Sequence, residues 1–285
     1  MKINRITTDK EEYLQGSSNL DDFPKKLYIL GNLSEKRLPT IAIIGSRKPT
    51  QYGREVTEKI AFELAKAGVI VVSGLALGID SIAHRAALEA RGITMAVLAN
   101  GLDTVYPASH KGLAKQILEN GGALISEYEP GTPPMQYRFL ERNRIVSGIA
   151  DGVVVIEAAA RSGTLSTAAH ALRQNKEVFA VPGNITSPQS AGCNGLIRQG
   201  AIPVTSTQDI LDVIAPNIKP EQTRFVLGDN PDEVTILELL QTGLRDGDEI
   251  LQQSKIDPTD FNQTLTMLEI KGMIKPLGGN QWTIR

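Results

Sequence analysis

Six short apolar runs punctuate the chain: "IAIIGS" (41–46), "VIVVSG" (69–74), "ITMAVLAN" (93–100), "ALISEY" (123–128), "GVVVIEA" (152–158) and "EVFAVPG" (177–183). None alternates polar with apolar residues, so each reads as a strand covered on both faces. The intervening segments have helical spacing. In "TQYGREVTEKIAFELAKAG", Val56, Ile60 and Leu64 recur every four residues, with Thr50 placed to cap the start and Gly68 to end the helix. Ile79, Ile82, Ala83, Ala86 and Ala87 make a second apolar stripe. Strands alternating with helices predict right-handed βαβ units and an α/β fold, a Rossmann-like doubly wound, mostly parallel sheet.

The repeat ends near residue 213, and 27–213 is read as this sheet domain behind an N-terminal segment, 1–26. Residues 214–230, rich in Pro, Asn and charge, read as a linker. From 231 to 285 the pattern becomes three helices and a hairpin turning at Gly278–Gly279–Asn280, a small winged-helix domain with Phe261, Leu265, Met267 and Leu268 available for its core. That domain holds nine acids against five bases, an excess of four negative charges. The whole chain is at −2, so residues 1–230 carry +2. The helix opening Asp257-Pro258-Thr259-Asp260 would meet DNA phosphates badly, which favours a protein-contact or regulatory role for this domain.

Several function classes fall away. No "GxGxxG" follows the first strand and no "GxxxxGK[ST]" occurs, so neither a dinucleotide nor a P-loop nucleotide is expected. His84, His110 and His170 lack metal-ligand spacing with one another or with the single cysteine, Cys193, which reads as a structural thiol; no cofactor is expected. His84 lies one turn from Asp80, a spacing that suits a helix-surface pair. No apolar stretch approaches a membrane span and the start resembles no signal peptide, so the expected location is cytoplasmic.

In a doubly wound sheet the ligand sits beyond the carboxyl ends of the strands. The loops there are "GSRKPT", "SGLALGID", "NGLDTVYPASH" and "AAARSGTLSTA". Glycines let a phosphate reach the backbone, the following helices offer unpaired N–H groups, and Arg47 adds a forked cation. Candidate contacts are Gly45, Ser46, Arg47, Thr50, Ser73, Gly74, Asn100, Ser162, Gly163 and Thr164. "QYRFLERNR" adds Arg138, Phe139, Arg142, Asn143 and Arg144, cations and an aromatic within two helical turns, as single-strand binding needs. Two alternatives stay open. Arg142 and Arg144 either face DNA or pair internally with Glu141, Asp151 or Glu157, and Phe139 either stacks on a base or fills the core.

"GSRKPT", "SGLALGID", "YPASH", "SEYEPG", "FLERNRIVSG", "EAAARSGTLSTA", "VPGN" and "GCNGLIRQGA" stand in this order and together resemble the DNA-processing protein A family, also called DprA or Smf. The resemblance runs from about residue 20 to the C-terminus. It implies a Rossmann-like core that binds single-stranded DNA, helps load the RecA recombinase on DNA entering in natural transformation, and forms a homodimer. Family members often carry a lysine just before the "FLERNR" motif, where this chain has Gln136 and, two residues on, Arg138. The segment matching the family's dimer contact is 195–204, with Ile197 and Ile202 as candidates for a twofold patch.

Two rivals come from other classes. The related lysine-decarboxylase-like phosphoribohydrolases carry a "GGxGTxxE" motif. Gly163-Thr164 aligns with it, but Thr167 occupies the acid's position, so the chain is expected not to be an enzyme. The other rival is a winged-helix regulator that senses a nucleotide.

Overall fold

All six apolar runs form strands in the computed structural model, which describes residues 2–218 and 230–284. Two compact units divide the chain, Met1–Pro220 and Glu221–Arg285. The first unit runs β1 (Asn4–Thr7), α1 (Gln15–Ser18), β2 (Lys26–Gly31), β3 (Thr40–Ile44), α2 (Gln51–Lys66), β4 (Ile70–Ser73), α3 (Ile79–Glu89) and β5 (Thr94–Val97). It continues with α4 (Lys111–Glu119), β6 (Ala123–Ser126), α5 (Gln136–Ile149), β7 (Gly152–Val155), α6 (Thr164–Arg173), β8 (Glu177–Ala180), α7 (Ala191–Arg198), β9 (Ile202–Pro203) and α8 (Thr207–Ile214).

These nine strands form one sheet in the order β1-β2-β6-β5-β4-β3-β7-β8-β9. From β6 to β9 every neighbouring pair is parallel; β2 runs antiparallel to both β6 and β1. The continuous apolar runs follow from burial on both faces: every residue of β3, β4, β5, β6 and β7 is buried. On one face Ile41, Ile43 and Val71 pack with Ile60 and Leu64 of α2 and Ile79 of α3. On the other, Ala42, Val72 and Val155 pack with Ile145 and Ile149 of α5, Ala168 of α6 and Cys193 of α7. Thr50 caps α2 as expected, its side chain accepting from the Gly53 N–H.

Two expectations of organisation change. Residues 1–26 are part of the sheet unit: β1 extends the sheet through β2, and Tyr13, Leu14 and Phe23 are buried in its core. Of the expected linker, Ala215 and Ile218 pack on the α2 face, while 219–229 lie outside the described residues.

The second unit holds α9 (Pro231–Gln241), α10 (Gly247–Ser254), α11 (Pro258–Ile270) and the antiparallel hairpin β10 (Ile274–Gly278) and β11 (Gln281–Ile284), a winged helix. Gly278, Gly279 and Asn280 all take positive φ at its turn, as the sequence suggests. Ile236, Leu237, Leu240, Ile250, Phe261, Leu265, Leu268 and Ile274 form the core. Met267, expected there, is instead exposed on α11, because it lies one position off the stripe that faces α9.

Candidate nucleic-acid interface

Strand order reverses between β3 and β7: from β3 the chain moves outward through β4, β5 and β6, then returns to the other side of β3. A crevice opens beyond the carboxyl ends at such a reversal. The Arg47 loop follows β3, and the Gly163-Thr164 turn comes shortly after β7. Thr164 Oγ1 donates to the Gly45 carbonyl at 3.0 Å and fixes one loop to the other.

The helix N-termini at this edge are not equivalent. At α2 the protein supplies its own anion. Thr50 N donates to Glu157 Oε2 at 2.9 Å and Thr50 Oγ1 donates to Oε1, while Glu157 is only 2% exposed. A side chain at Gly53 would collide with this carboxylate. At α3, Asp80 stands in the first turn, and its Oδ2 accepts from the Gly74 and Ala76 N–H groups of the preceding loop at 3.1 and 3.3 Å. Each of these two helices thus has a buried carboxyl of the protein's own beside its positive end. Ser73 and Gly74 are buried, and Thr50, though exposed, has its hydroxyl committed to Glu157; Ser73 Oγ donates to the Ile43 carbonyl at 2.6 Å. Asp80 and His84 are both buried, so the expected surface pair is not formed. Asn100 is buried as well, its amide donating to the carbonyls of Gly101 and Thr104.

The N-terminus of α6 differs. Gly163 precedes it without a side-chain cap, and the Thr164 N–H meets the Ser162 hydroxyl at 3.2 Å. No carboxylate of the described residues bonds there, and exposed Arg161 stands beside it. Gly45 is buried under the same loop pair, and Ser46 shapes the turn, its Oγ accepting from Lys48 N at 3.1 Å.

The "FLERNR" segment lies in α5, and its arginines part ways. Phe139 is half-buried and belongs to no core cluster among the described residues. The Arg47 guanidinium lies 5.5 Å from its ring centroid, and the Tyr106 ring lies 5.5 Å away at 51°. Arg138 lies over Tyr128 at 5.0 Å and Tyr137 at 5.5 Å. Cations and aromatic faces thus alternate along the outer side of the first turn of α5, with Tyr106 and Tyr137 about half exposed.

Arg142 and Arg144 are corrections. Arg142 is 4% exposed and donates through Nη1 to the carbonyls of Gly74, at 2.6 Å, and Val97. Burial brings its pKa down to about 10, against the opposing pull of Asp80. Arg144 pairs with Glu127 at 2.5 Å, a partner not among those expected, and donates to the Asp22 carbonyl. Asn143 donates to Ser166 Oγ at 2.9 Å, tying α5 to α6. Arg138 and Arg142 are four residues apart and share a side of α5, but one turn along the axis carries Arg142 beneath the strand ends.

A family model described as DNA recombination-mediator protein A matches residues 4–215, and a DprA winged helix domain matches 220–280. The chain belongs to the DNA recombination-mediator protein A family. It is 46% identical over 207 residues to the Escherichia coli protein Smf, 73% of this chain and 55% of that protein's length. With a putative DNA processing protein DprA of Mycobacterium tuberculosis it shares 40% identity over 275 residues, 92% of this chain and 69% of the relative. Among solved structures it resembles DprA of Streptococcus pneumoniae, with TM-score 0.70 and 40% identity over 75% of each chain. It also resembles DprA of Helicobacter pylori, described for its single-stranded DNA binding mode, with TM-score 0.64 and 33% identity over 72% of this chain and 94% of that one.

Within this DprA-family chain, sequence reasoning overlooked Lys48, Tyr106 and Arg161. All three stand in quoted motifs, and their place in loops following β3, β5 and β7 was the available signal. Ile197 packs against the β3–α5 side of the sheet and Ile202 against the α2 side. The two half-buried side chains therefore lie on opposite faces and do not form the single patch expected of them. Cys193 is fully buried, and burial pushes its thiol up to about 12, consistent with a structural role. No metal-binding group of three or more His, Cys, Asp or Glu occurs, and no helix is long and apolar enough to cross a membrane, among the described residues. In the second unit, α11 carries no Lys or Arg, and exposes Asp260, Met267, Glu269 and Ile270.

Proposed function

We propose that the chain binds single-stranded DNA across the carboxyl edge of the nine-stranded sheet, in the cytoplasm, and hands it to the RecA recombinase during DNA uptake. The observation that carries this reading is the Arg47–Phe139–Tyr106 cluster on the carboxyl edge, between the loops that follow β3 and β5, a phosphate-seeking cation set against aromatic faces. The unplugged α6 N-terminus and exposed Lys48 and Arg161 extend the same edge. The single-strand binding described for the Helicobacter pylori relative supports it. RecA transfer rests on the family resemblance; failure to speed RecA assembly on a bound strand would discard that part.

The test is a gel-shift comparison of single- and double-stranded oligonucleotides at two salt concentrations. The single strand should be preferred, and affinity should fall with salt. Arg47→Ala should reduce the log–log salt slope by about 0.7, the effect of losing one phosphate contact on a single strand. An unchanged affinity and slope in the folded variant removes Arg47 from the track.

We read the chain as a binding protein, not a hydrolase. Thr167, at the position where phosphoribohydrolases carry their acid, is buried, and the Glu157 carboxylate is engaged by Thr50. Glycosidic cleavage needs a free acid–base carboxylate. A homodimer is part of the proposal, because two tracks on one strand bind with avidity. Light scattering at micromolar concentration should give twice the chain mass, and a monomer would refute it.

A further inference from the structure

Helix α5 begins without a side-chain cap: Met135 precedes it, and its side chain accepts no bond from the helix N–H groups. Its first turn nevertheless carries the aromatic and cation of the proposed track, Phe139 and Arg138. Arg142, one turn further on, spans two neighbouring strands by donating to Gly74 O beyond β4 and Val97 O at the end of β5. Room for it is made by Gly74, where any Cβ would collide with the guanidinium.

For stability alone this is an expensive device. A buried guanidinium loses its hydration, and a packed apolar side chain of similar volume often serves a core as well or better. Arg142 bonds carbonyls and no carboxylate among the described residues, and its Nε has no partner. What the long, rigid group supplies is geometry: one nitrogen, Nη1, reaches two carbonyls at the ends of adjacent strands and holds the helix at one height above the sheet edge. Phe139 sits three residues earlier, on the same side of the helix. Its ring is thereby held between the Arg47 loop after β3 and the Tyr106 loop after β5.

We infer that Arg142 is a positioning residue for single-strand binding, a clamp between α5 and the ends of β4 and β5 that acts through Phe139 without touching the nucleic acid. The inference rests on the proposed function and adds to it a role opposite to the phosphate contact the sequence suggested.

The experiment uses the full chain and a fluorescently labelled oligothymidylate, with anisotropy read across a salt series well below the melting temperature. Three variants perturb the clamp: Arg142→Gln, Arg142→Lys, which keeps the charge but loses the reach and planarity of the guanidinium, and Gly74→Ala, which displaces the guanidinium from the strand side. Each should weaken binding by about tenfold, within the range expected when one stacked base loses its platform. The log–log salt slope should stay that of the wild type. In a Phe139→Ala background the further loss should vanish, because coupled residues are non-additive. Circular dichroism checks folding, and if Arg142→Gln does not fold, the other two variants carry the test.

Full affinity in folded variants would leave Arg142 a merely structural residue and overturn the inference. A slope lower by about 0.7 would make it a direct phosphate contact. Losses that add to that of Phe139→Ala would show that it does not act through the ring. A wild type that fails to bind the single strand sinks the functional reading and this one together; a binding wild type with unaffected variants sinks this one alone.

Discussion

Phe139→Ala is expected to weaken single-strand binding by about 1–3 kcal/mol, the worth of one base stacked on an aromatic face, while leaving the melting temperature nearly unchanged. The structure separates two roles that the sequence left equal. A buried phenylalanine truncated to alanine typically costs about 3–5 kcal/mol of stability through lost burial and the cavity left behind. Phe139 is half-buried and its ring neighbours are Arg47 and Tyr106, both exposed, so little core is disturbed by its loss. Truncation also frees the Arg47 guanidinium from its ring, adding loss of order to loss of a stacking surface. Thermal melting and oligonucleotide binding measured on the same sample decide the matter. A large drop in melting temperature with binding intact in the cold would mean that Phe139 is a packing residue after all.

The sheet was legible because burial on both faces forces unbroken apolar runs, and β3 to β8 announce themselves this way. The edge was not. In β1 only Ile6 is partly buried, and the three other residues are exposed, so it has no run to read. The site was legible to the level of loops, because the strand-end rule places ligands there whatever the residues are. It was not legible to the level of side-chain direction. Arg47 and Arg142 look equally suited to phosphate in sequence; one is exposed at a loop and the other lies beneath two strand ends. The Glu157 carboxylate filling the N-terminus of α2 joins residues more than a hundred positions apart, and no local pattern reports that contact. Gly53 and Gly74 were the quiet signals, each leaving space for a charged side chain from a distant segment.

Acid should unfold the sheet unit partly through one histidine, with His84 expected to remove about 3 kcal/mol of stability between pH 7.5 and 4.5. His84 is wholly buried on α3. Thr94 Oγ1 gives its hydrogen to the Val71 carbonyl at 2.7 Å, so His84 Nδ1 must be the donor in its 2.7 Å bond to Thr94. Nε2 is then a bare acceptor with no partner. Protonating it would place a charge in the core, near His110, Arg142 and Arg85. Burial first, and those neighbours next, hold its pKa down to about 3, against 6.5 for a free imidazole. The sign follows. The unfolded chain takes up a proton as pH falls through 6.5 while the folded one refuses it, so the stabilisation is complete above 6.5 and drains away toward 3. His84→Asn retains a donor toward Thr94 without the titration. Its stability at neutral pH will be lower because a smaller side chain leaves space, so the comparison is of slopes. Urea unfolding followed by far-ultraviolet circular dichroism should show wild type losing about 3 kcal/mol more than the variant over that pH interval. Trp282, the single tryptophan of the chain, lies in the second unit, and its fluorescence transition should respond equally in both proteins. Parallel losses in the dichroism transition would show that His84 stays solvated enough to titrate normally, and that the acid sensitivity of the sheet arises from other groups.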